Sequence, residues 1–528
     1  MPFRLSELLV GLSGVADVGM GQPLGAATET GLVAVGLARA LKLDDTTTSD
    51  ILFTALLRHI GCTAYSYETS RLFGDDVSVS RAALHTDFGD TPDSMLRYLP
   101  QILRQTPSGA RRQILVSVLR PPKSYLTDYA QAGTEIAETV ARRIGLPPAV
   151  QMALRDGFET WDGRGHPRAV VGDDIPLAAR VVAIAGCAAH FCRLNGIEAA
   201  RRTVGRRSAR LFDPQIAACF RTNAEPILGA LSSDVSNVSR LLDAEPSPRW
   251  ITDDGLVEVL RTFGDIVDLK SPYLHGHSVL VATLASEAGK YLRLSTEDVR
   301  DLQLAGYVHD LGRCAMPSSM WEHNGDLDVA HRQRLEMHAH YSEQILARSA
   351  SLSYLAALAG MHHERLDGSG YHRRLTLPQI PMPARVLATA DVFAAMSADR
   401  PYRKAYSRTE ISLEMARMAK NDLLDQSAVN AVLAIADSPA ANPAPTSSGF
   451  TDRQVEVLNL VAFGLSNAEI ADKLTISRRS AENQVGSIYG RIGVASRAGA
   501  ALFAMENSLL GVRSEVHSPR TPSTDLEL

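Results

Sequence analysis

An internal repeat constrains this chain more than any other feature. Shifted by 205 residues, Asp162-Gly163-Arg164-Gly165 falls on Asp367-Gly368-Ser369-Gly370, Arg180-Val181 on Arg385-Val386, and Gly186 on Asp391. Arg58-His59 corresponds to His309-Asp310, and Gly157-Phe158 to His362-His363. The register slips between these parts. The first copy therefore carries an insertion between Cys62 and Gly157, charged and rich in Pro and Gly over residues 73–122, expected as a loop or added helices. A repeat on this scale requires one supersecondary unit to be built twice. The turn glycines and apolar runs survive in both copies, but the ionisable positions of the second are lost from the first. The first copy is thus expected to fold and to be catalytically silent, serving dimerisation or sensing.

Apolar residues recur at three-to-four spacing over 30–41 and 51–60, which predicts helices and an all-α fold. A hydrophobic content of 45% supports sizeable cores. A net charge of −5 excludes a chain-wide footprint for nucleic acid or anionic membrane, so any DNA contact must be local. The five cysteines, Cys62, Cys187, Cys192, Cys219 and Cys314, are scattered and lack zinc spacing; they read as reduced thiols of a cytoplasmic protein. No transmembrane run is expected. Glu7 and Asp17 inside the apolar N-terminal stretch argue against a signal peptide.

Ten of the fifteen histidines fall between His275 and His372. In Tyr307-Val308-His309-Asp310-Leu311-Gly312-Arg313 a His-Asp pair ends an apolar helical run. Buried ionisable groups are costly unless paired or bound to metal, so the clustering points to a metal centre. His277 lies upstream; His338, His362 and His363 lie downstream; Asp391 sits in an apolar segment. His275 and His340 compete with their neighbours His277 and His338 for the ligand positions. His323, His331 and His372 are expected at the surface.

Residues 270–405 resemble the HD-GYP family of metal-dependent phosphohydrolases. The matching segments are Gly276-His277-Ser278, His309-Asp310-Leu311-Gly312-Arg313, His338 eight residues before Leu346, and His362-His363-Glu364-Arg365-Leu366-Asp367-Gly368-Ser369-Gly370-Tyr371. They continue through Ile380-Pro381 and Asp391 to Asp399-Arg400-Pro401-Tyr402-Arg403. The resemblance implies two divalent cations, iron or manganese, which suit imidazole and carboxylate ligands. His277, His309, Asp310 and Asp391 would hold one; Asp310 would bridge to the other, held also by His338, His362 and His363. Water activated between them would attack phosphorus in line. Asp310 and Arg313 would be catalytic, and Arg313, Arg400 and Arg403 would bind substrate phosphate. The chain departs from the pattern at three places. Gly370-Tyr371-His372 replaces Gly-Tyr-Pro, and Arg313 replaces a lysine, a change of geometry at constant charge. Tyr273 stands where some members carry a carboxylate for a third ion, which implies two ions here. The family substrate is cyclic di-GMP; another phosphodiester nucleotide stays open.

Residues 450–511 resemble the LuxR-type helix-turn-helix. The match runs through Leu465-Ser466-Asn467-Ala468-Glu469-Ile470-Ala471-Asp472-Lys473-Leu474, then Ile476-Ser477, Ile488-Tyr489 and Ser496-Arg497. Thr451 with Gln454, and Ser466 with Glu469, are capping boxes; Ser477 and Ser496 open two further helices. Ile470, Ala471, Leu474, Val485 and Ile488 would fill the core. The third helix would enter the major groove with Arg478, Arg479, Asn483 and Gln484 towards the bases, and Lys473 and Arg491 would contact phosphates. The module carries as many acidic as basic residues, so weak monomeric affinity and a homodimer are expected.

The expected order is a degenerate HD-type domain over 1–250 and an HD-GYP-like phosphohydrolase domain over 251–436. A flexible linker over 437–449, a four-helix LuxR-type DNA-binding domain over 450–511 and a disordered tail over 512–528 complete it. The resulting function is a transcriptional regulator with phosphodiesterase activity. The alternative is a sensor that binds nucleotide without hydrolysing it.

Overall fold

The computed structural model describes residues 2–87, 125–231, 234–323, 328–438 and 449–510, with the single positions 100 and 111. Much of the insertion over 73–122, all but residues 437, 438 and 449 of the expected linker, and the tail from 512 lie outside the described residues. What is described is helical, apart from a short antiparallel ribbon pairing Phe3–Arg4 with Trp250–Ile251.

The repeat reappears as two runs of helices of matching length. Ala26–Ala40 answers to His277–Tyr291, each of 15 residues, and Asp45–Leu57 to Thr296–Val308, each of 13. Tyr125–Arg143 answers to Val329–Ala347, each of 19, and Pro148–Arg155 to Ser353–Gly360, each of 8. Leu177–Asn195 and Met382–Ser397 follow. The same residues do the same work in both runs. Gly25 and Gly276 open their helices in the left-handed conformation, at φ 98° and 79°, where glycine has no Cβ penalty. A buried aspartate anchors each start. Asp17 accepts the N–H groups of Gly25 and Ala27 at 2.8 and 2.9 Å, and Asp268 accepts the Ser278 N–H and hydroxyl at 2.9 and 2.8 Å. Buried Glu159 accepts the N–H groups of Arg168 and Val170; buried Glu364 accepts those of Arg373 and Leu375.

The runs are fused. One apolar cluster joins Leu8, Leu9, Leu56 and Ile136 of the first to Phe263, Leu284, Val308 and Leu346 of the second. Lys270 of the second run is fully buried and donates to Asp76 of the first at 2.7 Å; the other Asp76 oxygen accepts the Ser318 N–H. A second cluster, including Val181, Val182, Ile184 and Phe220, belongs to the first run alone. It contains the helix Leu177–Asn195, which is long and apolar enough to cross a membrane, against the expectation that no such run exists. The helix packs within this core, and its arginines pair with partners outside it: Arg180 with Asp213, Arg193 with Glu29. All five cysteines are free.

Four helices make the C-terminal module: Asp452–Ala462, Asn467–Leu474, Arg478–Ile492 and Arg497–Glu506. Both expected capping boxes form, and Ser477 and Ser496 accept N–H groups at the starts of their helices. Ile470, Ala471, Val485 and Ile488 are buried with Val457, Leu458 and Ala481, while Leu474 is only partly covered. The module rests on the first run, where Glu135 accepts the Ala495 N–H at 2.8 Å and Arg143 pairs with Glu506 at 3.3 Å.

Candidate metal centre

Five segments converge on one buried point. His277 is the first residue of its helix, and His309 with Asp310 terminates Thr296–Val308. His338 lies within Val329–Ala347; His362 and His363 follow Ser353–Gly360; Asp391 sits midway along Met382–Ser397. All but His363 are buried. Asp310 stands at the centre with its two oxygens facing opposite ways. Oδ2 lies 3.5 Å from His277 Nε2 and 3.4 Å from His309 Nε2; Oδ1 lies 3.5 Å from both His338 Nε2 and His362 Nε2. Asp391 is divided in the same way. Its Oδ1 is 3.1 Å from His277 Nε2, and its Oδ2 is 3.8 Å from His363 Nδ1. Two groups result, His277 with His309 and Asp391, and His338 with His362 and His363, each within 4.8 Å and compact enough to hold a cation.

The hydrogen bonding turns the Nε2 atoms inward, where those of His338 and His362 face each other at 3.2 Å. His309, His338 and His362 each donate Nδ1–H to a carbonyl one turn back, those of Gly306, Leu335 and Ala359 at 2.8, 2.5 and 2.6 Å. Such a bond fixes the tautomer and presents a bare Nε2 lone pair, as metal ligation requires. Beyond their ion-pair contacts with one another and with Arg313, His277 Nε2, His309 Nε2, both oxygens of Asp310 and Asp391 Oδ1 are buried without a well-formed hydrogen bond. Orphaned polar atoms in such number are costly in an apolar interior, and a pair of divalent cations fits this donor set.

The charges agree. Burial holds His338 down at about 3 and His363 well below the usual imidazole range, so both present neutral nitrogen. Burial raises the Asp310 and Asp391 carboxyls, but Arg313 and His309 around Asp310, and His277 and His309 around Asp391, hold both well below the carboxylate range. His309 is the exception. Burial disfavours its charge, yet Asp310 and Asp391 outweigh that and raise it to about 10. A cation must therefore compete with its proton.

The expected arginines divide. Arg313 lies with Nε 2.5 Å from Asp310 Oδ2 and its guanidinium 4.4 Å over the Trp321 ring. Arg400 donates to the Tyr273 carbonyl at 2.9 Å; burial and the charge of Arg313 lower it to about 10. Arg403 does not join them. Its guanidinium donates to the carbonyls of Ala395, Met396 and Ala398 at the end of the Asp391 helix and stacks on Tyr406, so it caps that helix. His275 lies instead at the junction with the terminal module, beside Val461 and Ala462. His340 turns to the other side of its helix and meets His372, which is half-buried and not at the surface.

The first run lacks these features. Arg58, in place of His309, donates to the Val182 carbonyl at 2.9 Å, and a Cβ on Gly186, in place of Asp391, would lie 3.5 Å from its Nη1. A guanidinium thus occupies the ligand space. Among the described residues no group of three His, Cys, Asp or Glu suited to a cation forms there.

In the terminal module Lys473, Arg478, Arg479 and Asn483 are exposed and Gln484 is partly so; Arg478 pairs with Glu482 at 3.2 Å. Arg491 is not free for phosphate. It donates to the Gly449 carbonyl at 2.9 Å, lies 4.3 Å over the Phe450 ring, and so braces the start of the module.

Residues 261–428 match the family model described as HD domain, and residues 448–504 the one described as bacterial regulatory proteins, luxR family. The 3'3'-cGAMP-specific phosphodiesterase 3 of Vibrio cholerae is 30% identical over 410 residues, covering 76% of this chain and 88% of that protein. That match is longer than everything from residue 251 onward, so it reaches into the first run. The cyclic di-GMP phosphodiesterase response regulator RpfG of Xanthomonas campestris is 33% identical over 163 residues, 30% of this chain and 43% of that one. The crystal structure of the V. cholerae cyclic GMP-AMP specific phosphodiesterase V-cGAP3 superimposes with a TM-score of 0.57 at 26% identity, covering 85% of this chain and all of that one. The chain belongs to the HD-GYP-type family of HD-domain, metal-dependent phosphodiesterases, with a LuxR-family helix-turn-helix module at its C-terminal end.

Proposed function

We propose that this protein hydrolyses a cyclic dinucleotide, 3'3'-cGAMP or cyclic di-GMP, at a centre of two divalent cations held by His277, His309, Asp310, His338, His362, His363 and Asp391. The observation that carries this reading is the placing of Asp310, with one carboxylate oxygen towards each imidazole group. Iron or manganese suits such a mixed nitrogen and oxygen set. When bound, these ions supply Lewis-acid activation of water and neutralisation of phosphoryl charge. The chain's own part is to orient and to balance charge. The Nδ1–H···O=C bonds lock three imidazoles in one tautomer. Arg313, held flat by Trp321 and beside Asp310, puts a cation where a phosphodiester anion would lie, and Arg400 would add a second contact to it. Water added across one phosphodiester linkage opens the ring to a linear dinucleotide with one terminal phosphate.

The terminal module is the second working part, a DNA reader in the cytoplasm. A homodimer would supply two reading helices for half-sites one helical turn apart. Full-length protein supplied with Mn²⁺ or Fe²⁺ should convert 3'3'-cGAMP or cyclic di-GMP to the linear product, and Asp310→Ala should lose the activity by at least about a hundredfold. Equal turnover by wild type and Asp310→Ala would refute this centre; wild-type binding without turnover would make the protein a nucleotide sensor.

A further inference from the structure

A second group of ligand-type side chains stands apart from the centre. His340 and Glu343 lie one turn apart on the helix Val329–Ala347, and His372 reaches them from the loop after His363. One ligand atom from each lies within 4.8 Å of the other two. His372 Nε2 is 3.2 Å from Glu343 Oε2, and the His340 and His372 rings stand edge-on with centroids 5.1 Å apart. Apart from that contact, Glu343 Oε2 is buried without a hydrogen bond, as is His372 Nδ1. The carboxylate has a fitted seat: Arg373 holds its other oxygen, and a Cβ on Gly360 would meet Oε2 at 2.8 Å.

The first run supplies an internal control. The 205-residue repeat holds through the two 19-residue helices, since a Cβ on Gly61 would meet the Gly133 carbonyl as one on Gly312 would meet that of His338, and it places Glu135, Glu138 and Pro167 at His340, Glu343 and His372. Proline is also the residue of the Gly-Tyr-Pro signature from which this chain departs. The carboxylate recurs in the first run, but both imidazoles are peculiar to the second, where they turn a shared glutamate into a ligand set.

We propose that His340, Glu343 and His372 form a mononuclear site for a zinc-class cation, separate from the two-cation centre. Two imidazole nitrogens and one carboxylate oxygen, with water in the fourth position, are a ligand set for a borderline divalent ion. Arg373 orients the carboxylate as an outer partner does. The site fastens the loop carrying Tyr371 to the helix carrying His338. The Tyr371 ring lies 4.7 Å from that of His363 and 6.0 Å from that of His338, so occupancy stiffens one wall of the main centre.

The test uses full-length protein equilibrated with Zn²⁺ and freed of loose metal. Zinc per chain is counted, and hydrogen exchange is followed over residues 366–376. His372→Pro, which restores the residue of the first run, and the near-isosteric Glu343→Gln should each hold one zinc fewer than wild type. Asp310→Ala should keep that zinc. Zn²⁺ should slow exchange of the loop in wild type and Asp310→Ala, but not in His372→Pro or Glu343→Gln. Equal zinc in wild type and both loop-site variants, or loop exchange indifferent to Zn²⁺ in wild type, would overturn the proposal.

Discussion

Asp17 belongs to none of the cation groups, yet it titrates in the physiological range. Burial pushes its carboxyl up to about 7, against the pull of the Gly25 and Ala27 N–H groups and the charges of Arg348 and Arg193. In the unfolded chain the same group ionises near 3.8. Below that value both states are protonated and the contribution to stability is complete. As pH rises towards 7 the unfolded chain releases a proton that the folded chain keeps, so stability falls, by up to ~1.4 kcal/mol per pH unit. Denaturant midpoints at pH 5 and pH 7 should therefore move further apart in wild type than in Asp17→Asn; an identical shift in both would refute the assignment. The residues that converge at the centre could be picked from the sequence by motif: His277, His309, Asp310, His362 and His363 sit at helix ends and turns, whereas His338 and Asp391 lie inside helices, where Asp391 stands out as a carboxylate in an apolar run. Asp17 carried no such mark, since its burial depends on the packing of both runs. The same holds for His340 and His372, which are unremarkable on their own segments and meet only when the loop folds back on the helix.

At the scale of the element, caps were the most readable feature. Thr451, Ser466, Ser477 and Ser496 all open the helices that their side chains announce, because an N-cap and the N–H groups it satisfies lie within three residues. C-terminal and bracing arginines were not readable. Arg403 caps a helix that ends at Ser397, and Arg491 reaches back to Gly449; a guanidinium with five donors finds carbonyls that local sequence does not specify. This divides the terminal module's arginines into two classes with different mutant behaviour. Arg479→Ala, at an exposed position at the start of the reading helix, should weaken specific promoter binding by ~1–3 kcal/mol and leave the melting temperature alone. Arg491→Ala should lower the stability of the module and affect DNA only through that loss. Paired melting curves and promoter titrations separate the two, and loss of specific binding by Arg491→Ala at unchanged stability would return that residue to the phosphate-contact role.

At the scale of the molecule, the first run, in which no ligand group forms among the described residues, is half of the scaffold for the second. Repeat patterning revealed two copies, but it could not reveal that they share a core, because the contacts between them follow no period. The buried pair of Asp76 and Lys270 is the sharpest instance: Lys270 Nζ is 1% exposed by side chain and lies 2.7 Å from Asp76 Oδ2, while Asp76 Oδ1 takes the Ser318 N–H beside the Arg313 turn. Neither residue belongs to a motif. Removing one member of a buried pair leaves the other charge uncompensated, at a cost of ~3–5 kcal/mol, whereas replacing both with apolar residues of similar volume is often neutral. Asp76→Leu should accordingly destabilise the chain by about that amount and speed hydrogen exchange over residues 311–321. Asp76→Leu with Lys270→Met should recover most of the loss, though the Ser318 N–H stays unsatisfied and a residue of ~1–3 kcal/mol persists. If Asp76→Leu alone costs less than ~1 kcal/mol, the two runs are not held together here, and the first would be a passenger on a self-sufficient phosphodiesterase half.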